Sequence, residues 1–220
     1  VSGTMLANDV TVTVTYTQKH TLTMVVSQQG GGTTSPVVGD HQYDENTVVD
    51  ISATPTDCCQ FVNWTGEVAD PNSAITTVTM DSDKTVTAHF TAKKAYNATT
   101  NTNYDTIQAA IDDAVNGQTI IVCPGTYYEN LLINNKNITL KSSDSLNPTI
   151  IDGGNSGSVV QFTGGDTSTL QGFTIQNGSA DNGGGIYVYE SSPTIEKNKI
   201  MNNTSTYGGG ISVESSYLNY

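Results

Sequence analysis

Alternating apolar and polar residues dominate the first 92 positions of the chain. Two such runs, Val10–Tyr16 and Lys84–Ala92, show the period of two that is typical of a half-buried strand. A shift of 74 positions superposes the two runs and places Val12 on Val86. Tandem repeats explain this self-similarity, so residues 1–18 are predicted to be the terminal strand of a preceding repeat.

Further alternating runs predict a small all-β domain at residues 19–92. Turns rich in Gly, Pro and Asp separate these runs. Phe61, Trp64 and Phe90 are the predicted anchors of its core. The predicted strands between the two repeated runs are His20–Ser27, Asn46–Thr54, Gln60–Trp64 and Ala74–Met80.

Two motifs make this domain distinctive. They are Phe-Val-Asn-Trp at 61–64 and Met-Asp-Ser-Asp-Lys-Thr-Val-Thr-Ala-His-Phe at 80–90. Together with the order of the strands, they resemble the divergent internalin-type B-repeat, a β-grasp-like module of bacterial and archaeal surface proteins. The resemblance implies a spacer or adhesive role and no active site. Cys58-Cys59 departs from the family pattern, since such repeats usually carry Gly and a large aromatic residue there.

The pattern changes after the alternating domain. Residues 93–103 lack periodicity and are rich in Asn and Thr, so they are predicted to be a linker. A cap helix is predicted at about 105–116, with Asp105 and Gln108 as its capping box and Gly117 as its C-terminal stop. Its buried face is predicted from the i, i+3, i+4, i+7 spacing of Ile107, Ala110, Ile111 and Ala114.

A repeat of 25 residues follows this helix. Phe173–Asn177 recurs as Asn198–Asn202, and Gly183–Val188 recurs as Gly208–Val213. A period of this length, with short strands and Gly or Asn turns, predicts the stacked rungs of a parallel β-helix. Each rung is expected to hold three short strands and to bury its aliphatic residues inward.

The cap helix, the Pro-Gly-Thr-Tyr turn at 124–127 and the repeats are similar to the pectin-lyase-like right-handed parallel β-helix family. This resemblance covers residues 104–220 and implies a fold rather than a function. Asn177 is expected to stack over Asn202 in a hydrogen-bonded ladder. The repeats run on to Tyr220, so we expect the chain to be part of a longer protein with an incomplete β-helix. The predicted fold class is all-β.

Charge limits the partners of this chain. It has 21 acidic residues against 8 basic ones, all of them Lys, and a formal net charge of −13. Nucleic-acid binding requires clustered cations, so we expect no nucleic-acid partner. No apolar run approaches the roughly 18 residues that span a bilayer, so no membrane insertion is predicted. Abundant Thr, Asn, Gly and Tyr are typical of secreted β-rich proteins, which predicts an extracellular or cell-surface location.

The three cysteines do not define a framework. Cys58 and Cys59 are adjacent, Cys123 is remote, and no paired CxxC motif indicates zinc. The favoured interpretation is three small buried or half-buried side chains. A vicinal Cys58–Cys59 bridge and an odd reactive thiol are the alternatives.

The resemblance to the pectin-lyase-like family implies that catalysis would use paired Asp residues, as in its hydrolases, or an Arg or Lys base beside calcium-binding carboxylates, as in its lyases. The chain has no Arg, and its three His precede the solenoid. The candidate carboxylates of the solenoid are therefore predicted to be solvated turn residues, with no catalytic, cofactor-binding or metal-binding residue assigned. Weak calcium binding is the alternative. The candidates are Asp152, Asp166, Asp181, Glu190, Glu196, Glu214, Lys197 and Lys199, with an Asp112-Asp113 pair on the cap helix.

The predicted function is that of a non-catalytic extracellular surface or filament protein, used in adhesion, display or assembly. One alternative is a carbohydrate-active β-helix enzyme, a polysaccharide lyase or hydrolase, with its catalytic rungs beyond Tyr220. Another is a module that binds surface glycans, with Trp64 in the core and sugar contacts made elsewhere. The tyrosines predicted to make those contacts are Tyr187, Tyr189, Tyr207 and Tyr217.

Self-association is also predicted from two apolar features. The strand Val10–Tyr16 is long and uncharged, so it is expected to pair with another strand. The other feature is an open apolar rung near Ile211 and Val213 at the end of the solenoid.

Overall fold

A computed structural model describes residues 16–143 and 147–215. The chain forms two compact units. The first contains the described residues up to Pro55 together with Phe61–Phe90, and the second contains Thr56–Gln60 and the residues from Thr91 onward. Nearly all of the regular structure is β, with one helix in the described part, so the predicted all-β class is confirmed.

The first unit consists of two sheets. One is mixed, with the order β3-β1-β7-β5, and its central strands β1 and β7 run parallel. The other is antiparallel, with the order β2-β4-β6. The strands are β1 Lys19–Val26, β2 Gly32–Ser35, β3 Gly39–Asp44, β4 Val48–Pro55, β5 Cys59–Thr65, β6 Ile75–Thr79 and β7 Lys84–Ala92.

Alternation along these strands builds the core of the first unit. Residues of β1, β4 and β7 are buried at every second position, as the period of two predicts. The three predicted anchors lie there: Trp64 and Phe90 are buried, and Phe61 packs against both with ring centroids 5.6 and 6.2 Å away. The Trp64 indole Nε1 donates a hydrogen bond to the Ser73 carbonyl (3.0 Å), which satisfies its only polar atom.

The predicted strand Val10–Tyr16 lies outside the described residues except for Tyr16. That residue is in no strand, and its side chain is 93% exposed. The proposed pairing of this segment therefore stays a prediction.

The second unit is a β-solenoid of three parallel sheets, with about three turns after residue 125. We define its rungs as residues 119–134, 139–163, 169–189 and 194–214, each contributing one strand to each of the three sheets. The first sheet contains β10 Thr119–Val122, β13 Thr139–Ser142, β16 Thr169–Gln171 and β20 Thr194–Glu196. The second contains β11 Gly125–Tyr128, β14 Thr149–Asp152, β17 Phe173–Gln176 and β21 Lys199–Met201. The third contains β12 Leu131–Asn134, β15 Val160–Thr163, β19 Ile186–Tyr189 and β23 Ile211–Glu214.

Residues in register form columns that fill the interior of the solenoid. Ile120, Leu140 and Leu170 stack in the first sheet, and Ile133, Phe162 and Val188 stack in the third. All six are buried. Because each rung buries its apolar side chains against the next, the fold is stabilised by neighbouring rungs. The parallel β-helix prediction is confirmed, and the hand of the winding stays a prediction.

The third and fourth rungs contain one strand more than predicted. β18 Ser179–Asn182 and β22 Thr204–Tyr207 pair in parallel as a two-stranded sheet between the second and third sheets. The turn at Gly178 packs tightly against the backbone of Gly184. A Cβ atom on Gly178 would lie 1.8 Å from the Gly184 carbonyl oxygen. Only glycine leaves room for this contact.

Residues 93–103 do not form the predicted linker. Residues 93–103 include β8 Ala95–Asn97, and β9 Thr102–Tyr104 follows. The two strands form an antiparallel hairpin that joins the first sheet through β10. Buried Asn97 closes its turn by accepting hydrogen bonds from the backbone N–H groups of Thr99 and Thr100. The polar sequence hid a hairpin because side chains rather than apolar burial stabilise its turn.

The cap helix is shorter than predicted and starts two residues later. α1 spans Ile107–Asp113, and its N-cap is Thr106, whose hydroxyl accepts from the Ala109 N–H (3.1 Å). Gln108 does not complete a capping box with Asp105, because its side chain binds Asp112 and the backbone of Leu132. The predicted buried face is confirmed, with Ile107, Ala110, Ile111 and Ala114 all in the core.

The cysteines are buried or half-buried, as the favoured interpretation predicted, but that interpretation left all three unpaired. Cys58 and Cys123, both in the second unit, form a disulfide, and Cys59 is a buried free thiol. The vicinal alternative is excluded by the same bond. The two partners are 65 positions apart, so only the tertiary structure brings them together.

Candidate functional site

Two tyrosines on the outer face of the third sheet form a candidate binding surface on the solenoid. Tyr187 and Tyr189 alternate with buried Ile186 and Val188 along β19, so both point away from the core. Their rings lie 6.3 Å apart at an interplanar angle of 26°, a stacked arrangement. We call this pair, together with Glu214 of the next rung, the tyrosine platform.

Two carboxylates give the tyrosine platform a negative charge. The Tyr187 hydroxyl donates a 2.7 Å hydrogen bond to Glu214, which raises the pKa of Tyr187 to about 12. The negative charge of Glu190 raises the pKa of Tyr189. Both phenols therefore stay neutral at physiological pH. The platform can stack on the apolar face of a ligand and accept hydrogen bonds from its hydroxyl or amino groups.

The other predicted aromatic contacts are not part of this platform. Tyr207 lies on β22 and is 67% exposed, and Tyr217 lies outside the described residues. Trp64 is buried in the first unit, which confirms its assignment to the core. The structure thus brings together two of the four tyrosines that were predicted to contact sugars.

Asp152 is a buried hydrogen-bond acceptor within the solenoid and not a solvated turn residue. It ends β14, and the parallel register places Gln176 beside it. Its carboxylate accepts hydrogen bonds from Gln176 Nε2 (2.9 Å), the Gly154 N–H (2.9 Å) and Asn177 Nδ2 (2.7 Å). These bonds, led by that of Gln176, lower the pKa of Asp152.

Asp166 is also buried, and it joins the turns of adjacent rungs. Its carboxylate accepts from the backbone N–H groups of Ser168 (2.8 Å) and Lys136 (3.0 Å) and from the Ser168 hydroxyl (3.2 Å). Burial raises the pKa of Asp166, and the hydrogen bonds oppose that shift. The prediction of solvated carboxylates is therefore wrong for Asp152 and Asp166, because each is buried and accepts three hydrogen bonds at a turn.

The remaining charged candidates are dispersed over the surface. Asp181 lies in a shallow polar groove between β18 and β22 that is otherwise lined by uncharged residues. Glu190, Glu196, Lys197 and Lys199 are exposed. Among residues 16–143 and 147–215, no group of three or more His, Cys, Asp or Glu side chains is arranged to hold a metal ion.

The expected Asn ladder takes a different form. Asn177 and Asn202 both adopt positive φ (57° and 56°), as stacked turns require, but Asn177 donates to Asp152 of the rung before it. The bridges to the rung before are made by Asn198 and Asn203. Asn203 accepts from the Gly178 N–H (2.8 Å) and donates to the Ile175 carbonyl (3.0 Å), and Asn198 makes the same pair of bonds with Phe173 and Leu170.

A column of threonines on the first sheet was missed from the sequence. Its members are Thr119, Thr139, Thr169 and Thr194, in register on four successive strands. Their spacing along the chain is unequal because the turns differ in length from rung to rung.

The pKa shifts of the two buried carboxylates predict opposite effects of pH on the free energy of unfolding. Asp152 has a lowered pKa in the folded state, so its stabilisation is present above the unfolded value of about 3.9 and is lost as pH falls through the folded pKa. Asp166 has a raised pKa, so its contribution is largest in acid and declines as pH rises through the folded pKa. We expect Asp152→Asn to cost about 1–3 kcal/mol at pH 7 and less at pH 3.

Asp166→Asn is the matched control, since its cost should be larger at pH 3 than at pH 7. Urea denaturation of both variants at the two pH values measures these differences. Costs that change with pH in the same direction for both variants would contradict the assignment.

Two family models match successive parts of this chain. Residues 22–94 match the family model of the divergent InlB B-repeat domain. These residues are a B-repeat. The match begins within β1 and ends two residues after β7.

Most of the solenoid beyond the B-repeat matches a second family model. Residues 138–219 match a model described as a protein of unknown function, DUF1565. The search of curated proteins and the search of solved structures found no match. B-repeats are typical of surface proteins, and a B-repeat followed by a β-solenoid fits a surface-type protein. Within the described residues, the single helix is too short to cross a bilayer.

Proposed function

We propose that this chain is a non-catalytic part of an extracellular surface or filament protein, in which a B-repeat spacer precedes a β-solenoid stalk. The observation that carries the proposal is how the solenoid uses its buried carboxylates. Asp152 and Asp166 bind groups of the neighbouring rungs or of their own turns. Their acceptor atoms serve to hold rungs together, which is the requirement of a stalk.

The disulfide supports an extracellular location. Bonds of this kind persist in oxidising compartments and are rare in the cytosol. Cys123 is buried, and its carbonyl oxygen accepts a 2.9 Å hydrogen bond from the Tyr127 hydroxyl. The bond is therefore integrated into the start of the solenoid and is a structural disulfide.

Self-association is part of this proposal. Ile211 and Val213 on β23 are apolar residues that are 42% and 70% exposed. Their equivalents in the previous rung, Ile186 and Val188, are buried. Another rung, from this protein or from a second copy, would cover them in the same way.

A second candidate function is glycan binding by the tyrosine platform. Stacked aromatic side chains flanked by hydrogen-bond acceptors suit the apolar faces and hydroxyl groups of a sugar. Glu190 and Glu214 make the site negative, and the chain as a whole carries a net charge of −13. This charge favours neutral or amino sugars and disfavours uronic acids.

One experiment distinguishes a non-catalytic stalk, a glycan-binding module and a polysaccharide-cleaving enzyme. The chain is incubated with polygalacturonate, alginate, a neutral glucan and a chitin oligosaccharide, and new reducing or unsaturated ends are measured together with retention of the protein. We expect no new ends on any substrate. Ends that form at a rate dependent on protein concentration would overturn the non-catalytic proposal.

Retention of the protein on a glycan tests the second candidate function, glycan binding. Retention on the neutral or amino-sugar ligands that is lost in Tyr189→Ala, and kept in Tyr207→Ala, would establish the tyrosine platform as the binding site. Tyr207 is the control because it is exposed, aromatic and outside the platform. Light scattering of the same samples tests self-association: a monomer at all concentrations would remove assembly from the proposal.

A further inference from the structure

A disulfide between distant positions changes which residues carry a pulling force. Cys58 and Cys123 are 65 positions apart, but their Cα atoms are only 5.6 Å apart. Tension applied to the two ends of a chain follows its covalent path. With the disulfide intact, the taut path passes from Cys58 through the two sulfur atoms to Cys123, and the polypeptide between them is slack.

We propose that the Cys58–Cys123 disulfide is a force bypass that keeps residues 59–122 out of the load path and limits the extension of the chain. This proposal rests on the proposed function of a spacer and stalk, because only a load-bearing chain needs such a device. It adds a mechanical role and a dependence on redox state that the family matches do not assign.

The bypass divides the B-repeat by strand. β1 to β4 lie on the load path, whereas β5, β6 and β7 lie within the slack segment. β7 pairs in parallel with β1 at the centre of its sheet, and Trp64 of β5 lies in the core. When β1 is pulled out, these strands are released without being stretched, and they remain available to pair again when the force falls.

The bypass also protects the start of the solenoid. The hairpin β8–β9, the cap helix and β10 all lie between the two cysteines. The helix covers the first rung with Ile107, Ala110 and Ile111, which belong to the solenoid core. Tension enters the solenoid at Cys123, after this cap, so the cap is not pulled away from the rungs that it covers.

Both ends of the bypass are held by backbone hydrogen bonds. The Lys93 N–H donates to the Cys58 carbonyl (2.8 Å), and the Cys123 N–H donates to the Lys94 carbonyl (2.9 Å). Lys93 and Lys94 are neighbours, so one short segment bonds to both cysteines. This arrangement holds the backbones of the two cysteines close together.

Single-molecule force spectroscopy on the full chain, held at its two ends, tests the bypass. Reduction by dithiothreitol transfers two electrons and two protons and converts the disulfide to two thiols. We expect the fully extended length to increase by about 220 Å on reduction, since each released residue adds about 3.3–3.6 Å. The fully extended length depends only on covalent connectivity, so it can be measured even for a variant with a weakened fold.

Two variants make the test specific. Cys123→Ser should show the long extension without reductant, and Cys59→Ser should keep the short one. Equal lengths for the unreduced protein and Cys123→Ser would overturn the bypass, and so would a long extension in Cys59→Ser. Cleavage of a polysaccharide would overturn the proposed function but leave these lengths unchanged, so the two failures are distinguishable.

Discussion

Replacement of Cys123 with Ser is expected to lower the free energy of unfolding of the chain by about 4 kcal/mol. The disulfide closes a loop of 65 positions and so removes conformations from the unfolded chain, and the loop-entropy relation gives this magnitude. Urea denaturation followed by circular dichroism measures the change. The effect is large because a typical domain is stable by only about 5–15 kcal/mol.

Cys59→Ser is the matched control for this prediction. Cys59 is buried and adjacent to the bridge but makes no disulfide, so its replacement should cost about 1 kcal/mol, in the range of ordinary substitutions. Dithiothreitol should destabilise the unmodified protein and Cys59→Ser by similar amounts and leave Cys123→Ser unaffected. A Cys123→Ser variant as stable as the unmodified protein would show that the bridge does not constrain the unfolded chain.

Replacement of Phe162 with Ala is expected to cost about 3–5 kcal/mol, the usual range for truncating a fully buried Phe. Phe162 lies on β15 between Ile133 of the first rung and Val188 of the third, and it is completely buried. The cavity would therefore remove contacts with both neighbouring rungs. In a solenoid, whose stability is carried by such interfaces, one truncation weakens two of them.

The lone Trp makes this second prediction specific. Trp64 is in the B-repeat, so its fluorescence reports that unit, whereas circular dichroism reports both. We expect Phe162→Ala to lower the urea midpoint seen by circular dichroism and to leave the fluorescence midpoint in place. Gln161→Ala, on the outer face of the same strand, should change stability by no more than about 0.5 kcal/mol. An equal loss in both variants would argue against inward burial of Phe162.

These results would bear directly on a load-bearing role. A stalk needs rungs that hold one another and a covalent path that limits extension. Phe162 tests the first requirement and Cys123 tests the second. The tyrosine platform is independent of both, because Tyr187 and Tyr189 lie on the outer face of β19.

Much of the fold was predictable where apolar residues repeat with a clear period. The alternation in β1, β4 and β7 located these strands to within about two residues, which is ordinary for element boundaries. The strand β3 was missed because it carries Asp40, Gln42 and other polar residues. It is an edge strand, and exposed edge strands do not need a buried apolar face.

The candidate site was predictable only in part. Alternation along Ile186–Tyr189 indicated that Tyr187 and Tyr189 share the outer face of a rung. It did not indicate that Glu214, 27 positions later, would bind the Tyr187 hydroxyl. Nor could composition distinguish buried Asp152 and Asp166 from exposed Asp181, because burial depends on which turns stack.

The sequence by itself determined the two kinds of architecture and their order, because periods of 2 and 25 residues are properties of the chain alone. The tertiary structure decided the Cys58–Cys123 bond, the hairpin of β8 and β9, and the burial of Asp152 and Asp166. The physical reason is common to all of these features. Each depends on groups that become neighbours only when one segment packs against another, and local periodicity carries no record of that contact.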